Sequence, residues 1–141
     1  MKMAELNLLL VKDDPDDREF FKIALKRVGP TTKSFLASDR IRGQERLDQS
    51  ECEPNYIFLN LYMPLLSGKD FPLEIRQSSS YQVIRVIILS NSSNSEDVKE
   101  CQQLRAYLFM TKMISVENLA DVIVKTIYGK NLPFLLNYPV L

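Results

Sequence analysis

A chain of 141 residues fits one domain, and a domain of this size buries about 70% of the surface that its unfolded chain would expose. Its 18 lysines and arginines balance its 18 aspartates and glutamates, so bulk charge predicts neither a nucleic-acid nor a membrane partner. The chain has no histidine, and Cys52 and Cys101 lack CxxC spacing, which excludes zinc fingers, histidine metal sites and histidine-dependent catalysis.

The amino-terminal segment predicts a strand rather than a targeting signal. Its apolar run, LNLLLV, spans only about six residues and ends in charge. No run along the chain approaches the roughly 18 apolar residues of a membrane span. We therefore expect a soluble, cytoplasmic protein.

Strand-like and helix-like segments alternate along the chain. Strand-like runs occupy 6–11, 31–37, 55–61, 83–90 and 106–110; most are short and apolar, whereas 31–37 alternates weakly. Segments with helical spacing or helix-start signals follow them at 13–29, 39–50, 69–77, 96–104 and 115–129. This (βα)5 pattern, without internal repeat or linker, predicts a doubly wound α/β sandwich over residues 1–129.

The first helix has the clearest start signal. Asp14 suits the N-cap, and Pro15 suits the first helical position, where a missing N–H is tolerated. Asp16 and Asp17 face the positive end of the helix dipole. We assign these two aspartates to the helix start alone.

Polar side chains follow four of the predicted strands at their carboxyl ends. In a doubly wound sheet these ends meet at one edge, which is where ligands bind. The residues concerned are Lys12, Asp13, Asp14, Asn60, Ser90, Asn91, Thr111 and Lys112.

This arrangement resembles a response-regulator receiver domain of bacterial two-component signalling, over nearly the whole chain. Ser90 and Lys112 lie 30 and 52 residues after Asn60, as the family's hydroxyl and lysine lie after its phosphoacceptor. Met63-Pro64 and Gly68 fall where the family has its MP and glycine. The opening VKDDPDD is similar to that of single-domain regulators that partner phytochrome-type kinases.

The resemblance implies a flavodoxin-like fold with a five-stranded parallel sheet in the order 2-1-3-4-5. It also implies phosphate transfer from a histidine kinase to an aspartate ending the third strand, with Mg²⁺ bound beside it. The implied roles are metal-binding acid for Asp13, phosphoacceptor for Asn60, hydroxyl switch for Ser90, aromatic switch for Phe109 and phosphate-holding lysine for Lys112.

The sequence departs from the family pattern at the acceptor and at the metal site. Asn60 has no anionic oxygen to attack phosphorus or to hold Mg²⁺, and Lys12 stands where the family has an acidic residue. Mg²⁺ is usually bound by one or two carboxylates. Removing two anionic groups and adding a cation therefore removes most of the electrostatic attraction that would hold the ion. We expect no functional metal site, with Asp13 as the residual candidate.

The charges of this pocket are expected to balance one another without metal. Lys12 and Lys112 are predicted to pair with Asp13 and Asp14, which form the acidic side of the pocket. Met113 replaces the family's proline after the lysine, and a trans peptide bond is the default there.

The function expected from these residues is that of an atypical receiver that takes no phosphate on Asn60 and acts as a protein-interaction module, not as an enzyme. The expected docking surface is formed by the fourth and fifth helices with the fifth strand, and the partner is a histidine kinase, another receiver or a second copy. Two alternatives stay open: a phosphoacceptor that uses Asp13 or Asp14, and a flavodoxin-like small-ligand sensor whose SNSSNS loop holds an anion.

Residues 130–141 form an apolar tail after the last predicted helix. A contiguous apolar patch of this kind is unfavourable in water. We expect the tail to pack on its own domain or on a dimer partner. Its apolar side chains are Phe134, Leu135, Leu136, Tyr138 and Val140.

Overall fold

A computed structural model of the chain describes residues 6–12, 14–28, 32–48, 53–60, 62–63, 66–67, 84–90, 95–111, 116–128 and 134–137. The strands are β1 (Leu6–Val11), β2 (Thr32–Ala37), β3 (Tyr56–Asn60), β4 (Tyr62–Met63), β5 (Leu66–Ser67), β6 (Arg85–Ser90), β7 (Leu108–Thr111) and β8 (Leu135–Asn137). The helices are α1 (Pro15–Val28), α2 (Arg40–Asp48), α3 (Ser95–Gln103) and α4 (Val116–Tyr128).

Within the described residues one parallel sheet runs in the order β2-β1-β3-β6-β7-β8. Its first five strands are the five predicted ones, and their order confirms the predicted 2-1-3-4-5 arrangement. The sheet differs from the prediction in its sixth strand, because β8 from the tail pairs in parallel with β7. The predicted helix at 69–77 lies outside the described residues.

Helices cover both faces of this sheet, as the double winding predicts. On one face Phe21 of α1 and Val122 of α4 share a buried cluster with Phe58 of β3. On the other face Leu47 of α2 and Cys101 of α3 pack in a second buried cluster. The near-continuous burial of β3 and β6 follows from this double cover.

The core is tightly packed where α1 meets β3. The rings of Phe21 and Phe58 lie 5.3 Å apart in an edge-to-face arrangement, and both side chains are fully buried. Burying one such side chain contributes about 1.5–3 kcal/mol to folding. This packing holds α1 against β3.

Aspartates start the first two helices. The Oδ1 of Asp14 accepts a 2.8 Å hydrogen bond from the Asp16 N–H at the start of α1. At the start of α2, the Oδ1 of Asp39 accepts a 2.8 Å bond from the Arg42 N–H. The predicted capping by Asp14 is therefore confirmed. No helix in the described part of the chain is long and apolar enough to cross a membrane.

Candidate functional site

Strand register brings the predicted site residues of the described chain to one edge of the sheet. Asn60, the last residue of β3, pairs with Leu89 of β6. The next residue, Ser90, pairs with Thr111 of β7. The pairing of Leu59 with Val11 places the end of β1 at the same edge, next to Asn60. The carboxyl ends of four strands therefore meet as the sequence predicts.

The side chains at this edge differ in burial. Ser90 is 7% exposed, and Thr111 beside it is also buried. Asn60 is partly exposed to solvent. The edge therefore combines one accessible amide with two sheltered hydroxyl groups.

The Lys12 side chain turns towards the start of α1. Its Nζ lies 3.2 Å from the Oδ2 of Asp17, and the two side chains are 22% and 39% exposed. Its backbone is held on both sides, because the Lys12 N–H donates to the Ala37 carbonyl at 3.0 Å and Arg18 Nη1 donates to the Lys12 carbonyl at 2.7 Å. An ion pair that is partly exposed to solvent, as this one is, adds about 0–1 kcal/mol to stability.

The structure gives Lys12 a partner that the sequence does not predict. The sequence predicts pairing with Asp13 and Asp14; Asp13 lies outside the described residues, and the structure pairs Lys12 with Asp17, a residue that the sequence assigns only to the helix start. The exposed carboxylate of Asp14 caps α1. Asp17, about one turn further along α1, forms the ion pair with the ammonium group of Lys12. Asp17 is thus a contact of the predicted site residue Lys12 that sequence reasoning misses.

Phe109, the predicted aromatic switch, is fully buried in the cluster beneath α2 and α3. Its backbone N–H donates a 2.8 Å hydrogen bond to the carbonyl of Phe134, just before β8. The Phe134 side chain packs against the same cluster. The tail segment therefore contacts the position of the aromatic switch directly, a connection between residues 25 positions apart that local sequence patterns do not reveal.

Several predicted site residues lie outside the described residues, namely Asp13, Pro64, Gly68, Asn91, Lys112 and Met113. Met63 lies in β4, opposite Leu66 of β5 in a short antiparallel pair that follows β3. Among the residues that the structure describes, no group of three or more histidine, cysteine, aspartate or glutamate side chains could hold a metal ion.

Comparisons with known proteins agree with this fold. The family model described as response regulator receiver domain matches residues 8–124. Response regulator Rcp1 of Synechocystis sp. is 26% identical over 121 residues, which cover 82% of this chain and 82% of Rcp1. Two solved structures share the fold. The phosphorylated cyanobacterial phytochrome response regulator RcpA has a TM-score of 0.80 at 23% identity, over 92% of this chain and 99% of its own. The Mn²⁺-bound form of Rcp1 has a TM-score of 0.74 at 24% identity, over 92% and 98% of the two chains.

Proposed function

Because the chain belongs to the response regulator receiver domain family, we propose that it is a receiver of two-component signalling that takes no phosphate on Asn60 and works by binding other proteins. Receiver domains are signalling modules that interact with histidine kinases and other proteins of a phosphorelay. The amide at the end of β3 is the observation that carries the proposal, since the resemblance implies an aspartate at that position.

The chemistry of phosphate acceptance requires a carboxylate. In that reaction a carboxylate oxygen attacks phosphorus, the bond from phosphorus to its donor breaks, and a mixed anhydride forms. The oxygen of Asn60 belongs to a neutral amide, whose lone pairs accept hydrogen bonds but which carries no anionic charge. Asn60 keeps the shape of the acceptor and lacks its nucleophilic oxygen.

The residues around Asn60 also fit a divalent cation poorly. Mg²⁺ is usually bound through one or two carboxylates together with water molecules. Here Asn60 offers a neutral oxygen, Lys12 adds an ammonium group, and the carboxylates of Asp14 and Asp17 are engaged in a helix cap and an ion pair. The resemblance leaves one carboxylate in the expected metal site, that of Asp13. We infer weak binding or none, although the relative Rcp1 has been solved with Mn²⁺.

The missing charge is large enough to decide the outcome. A unit charge pair at 4 Å is worth about 4 kcal/mol at an effective dielectric constant of 20, and a divalent ion doubles that value. Water reduces the figure at a partly exposed residue such as Asn60. Even a quarter of the doubled value, about 2 kcal/mol, corresponds to a dissociation constant roughly 30-fold weaker.

The docking surface of the proposal lies at the β7 end of the sheet. Phe109, the residue at the expected switch position, is fully buried, and its backbone N–H donates to the Phe134 carbonyl. Both contacts favour a single orientation of this side chain. Because β8 pairs with β7, the surface offered to a partner there includes β8 beside α3 and α4. We propose a histidine kinase as the partner, with another receiver or a second copy as the other outcomes.

Phosphorylation chemistry gives a direct test. The full chain is incubated with acetyl phosphate and Mg²⁺, and separately with a phosphorylated histidine kinase domain, and its intact mass is measured. We expect an unchanged mass in both incubations. Stoichiometric addition of a phosphoryl group would refute the proposal, and peptide mapping would then show whether Asp13 or Asp14 had accepted it.

A further inference from the structure

A second cleft lies beside the carboxyl end of β2, separated from the strand of Asn60 by β1. Its volume is about 450 Å³, within the range of about 300–1,000 Å³ that is typical of clefts for small ligands. It opens at the carboxyl-terminal edge of the sheet, where doubly wound folds bind their ligands. The polar residues that line it are Arg18, Ser38, Arg42, Glu45 and Arg46.

Three arginines from two helices converge on this cleft, and each is held by a hydrogen bond. Arg18 Nη1 of α1 donates to the Lys12 carbonyl at 2.7 Å. Arg46 Nε of α2 donates to the Leu36 carbonyl at 3.2 Å, and both arginines are partly buried. A guanidinium carries five N–H donors in a planar fork, so the bond made by Arg18 sets its direction while using one donor.

The lining is strongly positive for a chain without net charge. Arg42 Nη1 pairs with Glu45 Oε1 at 2.9 Å, and Glu45 is the one acidic residue of the lining. The nearby Asp39 carboxylate caps α2 through the Arg42 N–H. The charged residues of the lining are therefore three arginines and one glutamate, with the Asp39 carboxylate beside them.

From this arrangement we infer that the cleft binds a small ligand through a phosphate group. Arginine forks match the oxygens of phosphate with paired, charge-assisted hydrogen bonds, which a chloride ion cannot form. The exposed Ser38 at the rim supplies a further hydroxyl donor. The volume accommodates more than inorganic phosphate, so a nucleoside monophosphate is the size of ligand that the cleft favours. This inference is independent of Asn60 and goes beyond the proposed function.

Calorimetric titration of the full chain tests the inference, with inorganic phosphate, pyrophosphate and AMP as separate probes and sodium chloride as the blank. We expect saturable binding of at least one phosphate probe with a dissociation constant of about 1 mM or tighter. Tighter binding of AMP than of phosphate would assign the cleft to nucleotides, and the reverse order would assign it to phosphate alone; both support the site.

Paired variants locate the binding in the cleft. Arg18→Gln with Arg42→Gln removes two lining charges, and we expect affinity to fall by about tenfold or more. The matched control, Arg27→Gln with Arg105→Gln, removes the same charge from residues outside the lining and is expected to change affinity by less than about twofold. Arg42 is 60% exposed, so Arg42→Gln alone is a second variant that keeps the fold, with an expected loss of about threefold.

Two results would overturn the inference. The first is the absence of saturable binding by every phosphate probe, whether or not an oligonucleotide binds. The second is an equal loss of affinity in the control pair, which would mean that net charge alone attracts the probes.

Discussion

Replacing Asn60 by aspartate is expected to restore both divalent-ion binding and phosphate acceptance. The substitution changes one amide nitrogen to oxygen, so the shape of the side chain and its place at the end of β3 are kept. What it adds is one unit of negative charge at the edge where the ends of β1, β3, β6 and β7 meet. Any gain of function can then be assigned to that charge.

The expected gain follows from the exposure of the site. Two unit charges at 4 Å interact by about 1 kcal/mol in water and by about 4 kcal/mol at an effective dielectric constant of 20, and a divalent ion doubles either value. Asn60 is partly exposed, so the lower limit of about 2 kcal/mol is the better guide. This corresponds to a Mg²⁺ dissociation constant roughly 30-fold tighter than that of the wild type.

The assay combines Mg²⁺ titration by calorimetry with intact mass after incubation in acetyl phosphate. Asn55→Asp is the matched control, because it adds the same charge just before the other end of β3 and keeps the oxygen that accepts the Asn7 N–H. Five residues of strand separate the two positions by about 16 Å, roughly two Debye lengths at physiological salt. The reasoning fails if Asn60→Asp binds Mg²⁺ no tighter than Asn55→Asp, or if the wild type already takes a phosphoryl group.

Further expectations concern Lys12, the core, the first helix and the tail. In the Asn60→Asp background, Lys12→Gln should tighten Mg²⁺ binding further by at most about fivefold, since its side chain is 22% exposed; a larger effect in calorimetry would place the ammonium closer to the metal. Phe109→Ala should lower the free energy of unfolding by about 3–5 kcal/mol in urea melts, against less than about 1 kcal/mol for Phe20→Ala, which is 48% exposed; equal losses would contradict the packing. Asp14→Ala should cost about 1 kcal/mol in the same melts and Asp14→Ser much less, and the cap is not formed if the two behave alike. Removing 134–141 should cost about 2–4 kcal/mol, because the bond to the Phe109 N–H and the Phe134 packing are lost. Sedimentation of the full chain and of the chain without 134–141 shows whether the tail also joins two copies. An unchanged urea melt after the deletion would mean that the tail does not pack on its own domain.

The order of elements and the position of the site were predictable because their signals are local. The apolar runs at β1, β3 and β6 are continuous, as strands covered on both faces require. A doubly wound topology then brings their carboxyl ends together whatever the side chains are. The polar character of Asn60 and Ser90 at these ends is a matter of residue type, so it is visible in the sequence alone.

The short strands were missed for a physical reason. A three-residue strand such as β8 carries too few side chains to show a period, and its apolar residues fit a buried tail or an intermolecular contact equally well. In the folded chain the edge of β7 is available for pairing, and β8 pairs there after the Phe134 carbonyl accepts the Phe109 N–H.

By itself the sequence determined the order of the five parallel strands and the edge at which the strand-end residues Asn60, Ser90 and Thr111 meet, because each depends on residue type and on spacing along the chain. Only the tertiary structure decided that Lys12 meets Asp17, that the tail holds Phe109, and that arginines of two helices share one cleft. These contacts depend on which directions side chains take once helices are packed on the sheet, and that packing depends on the whole core at once.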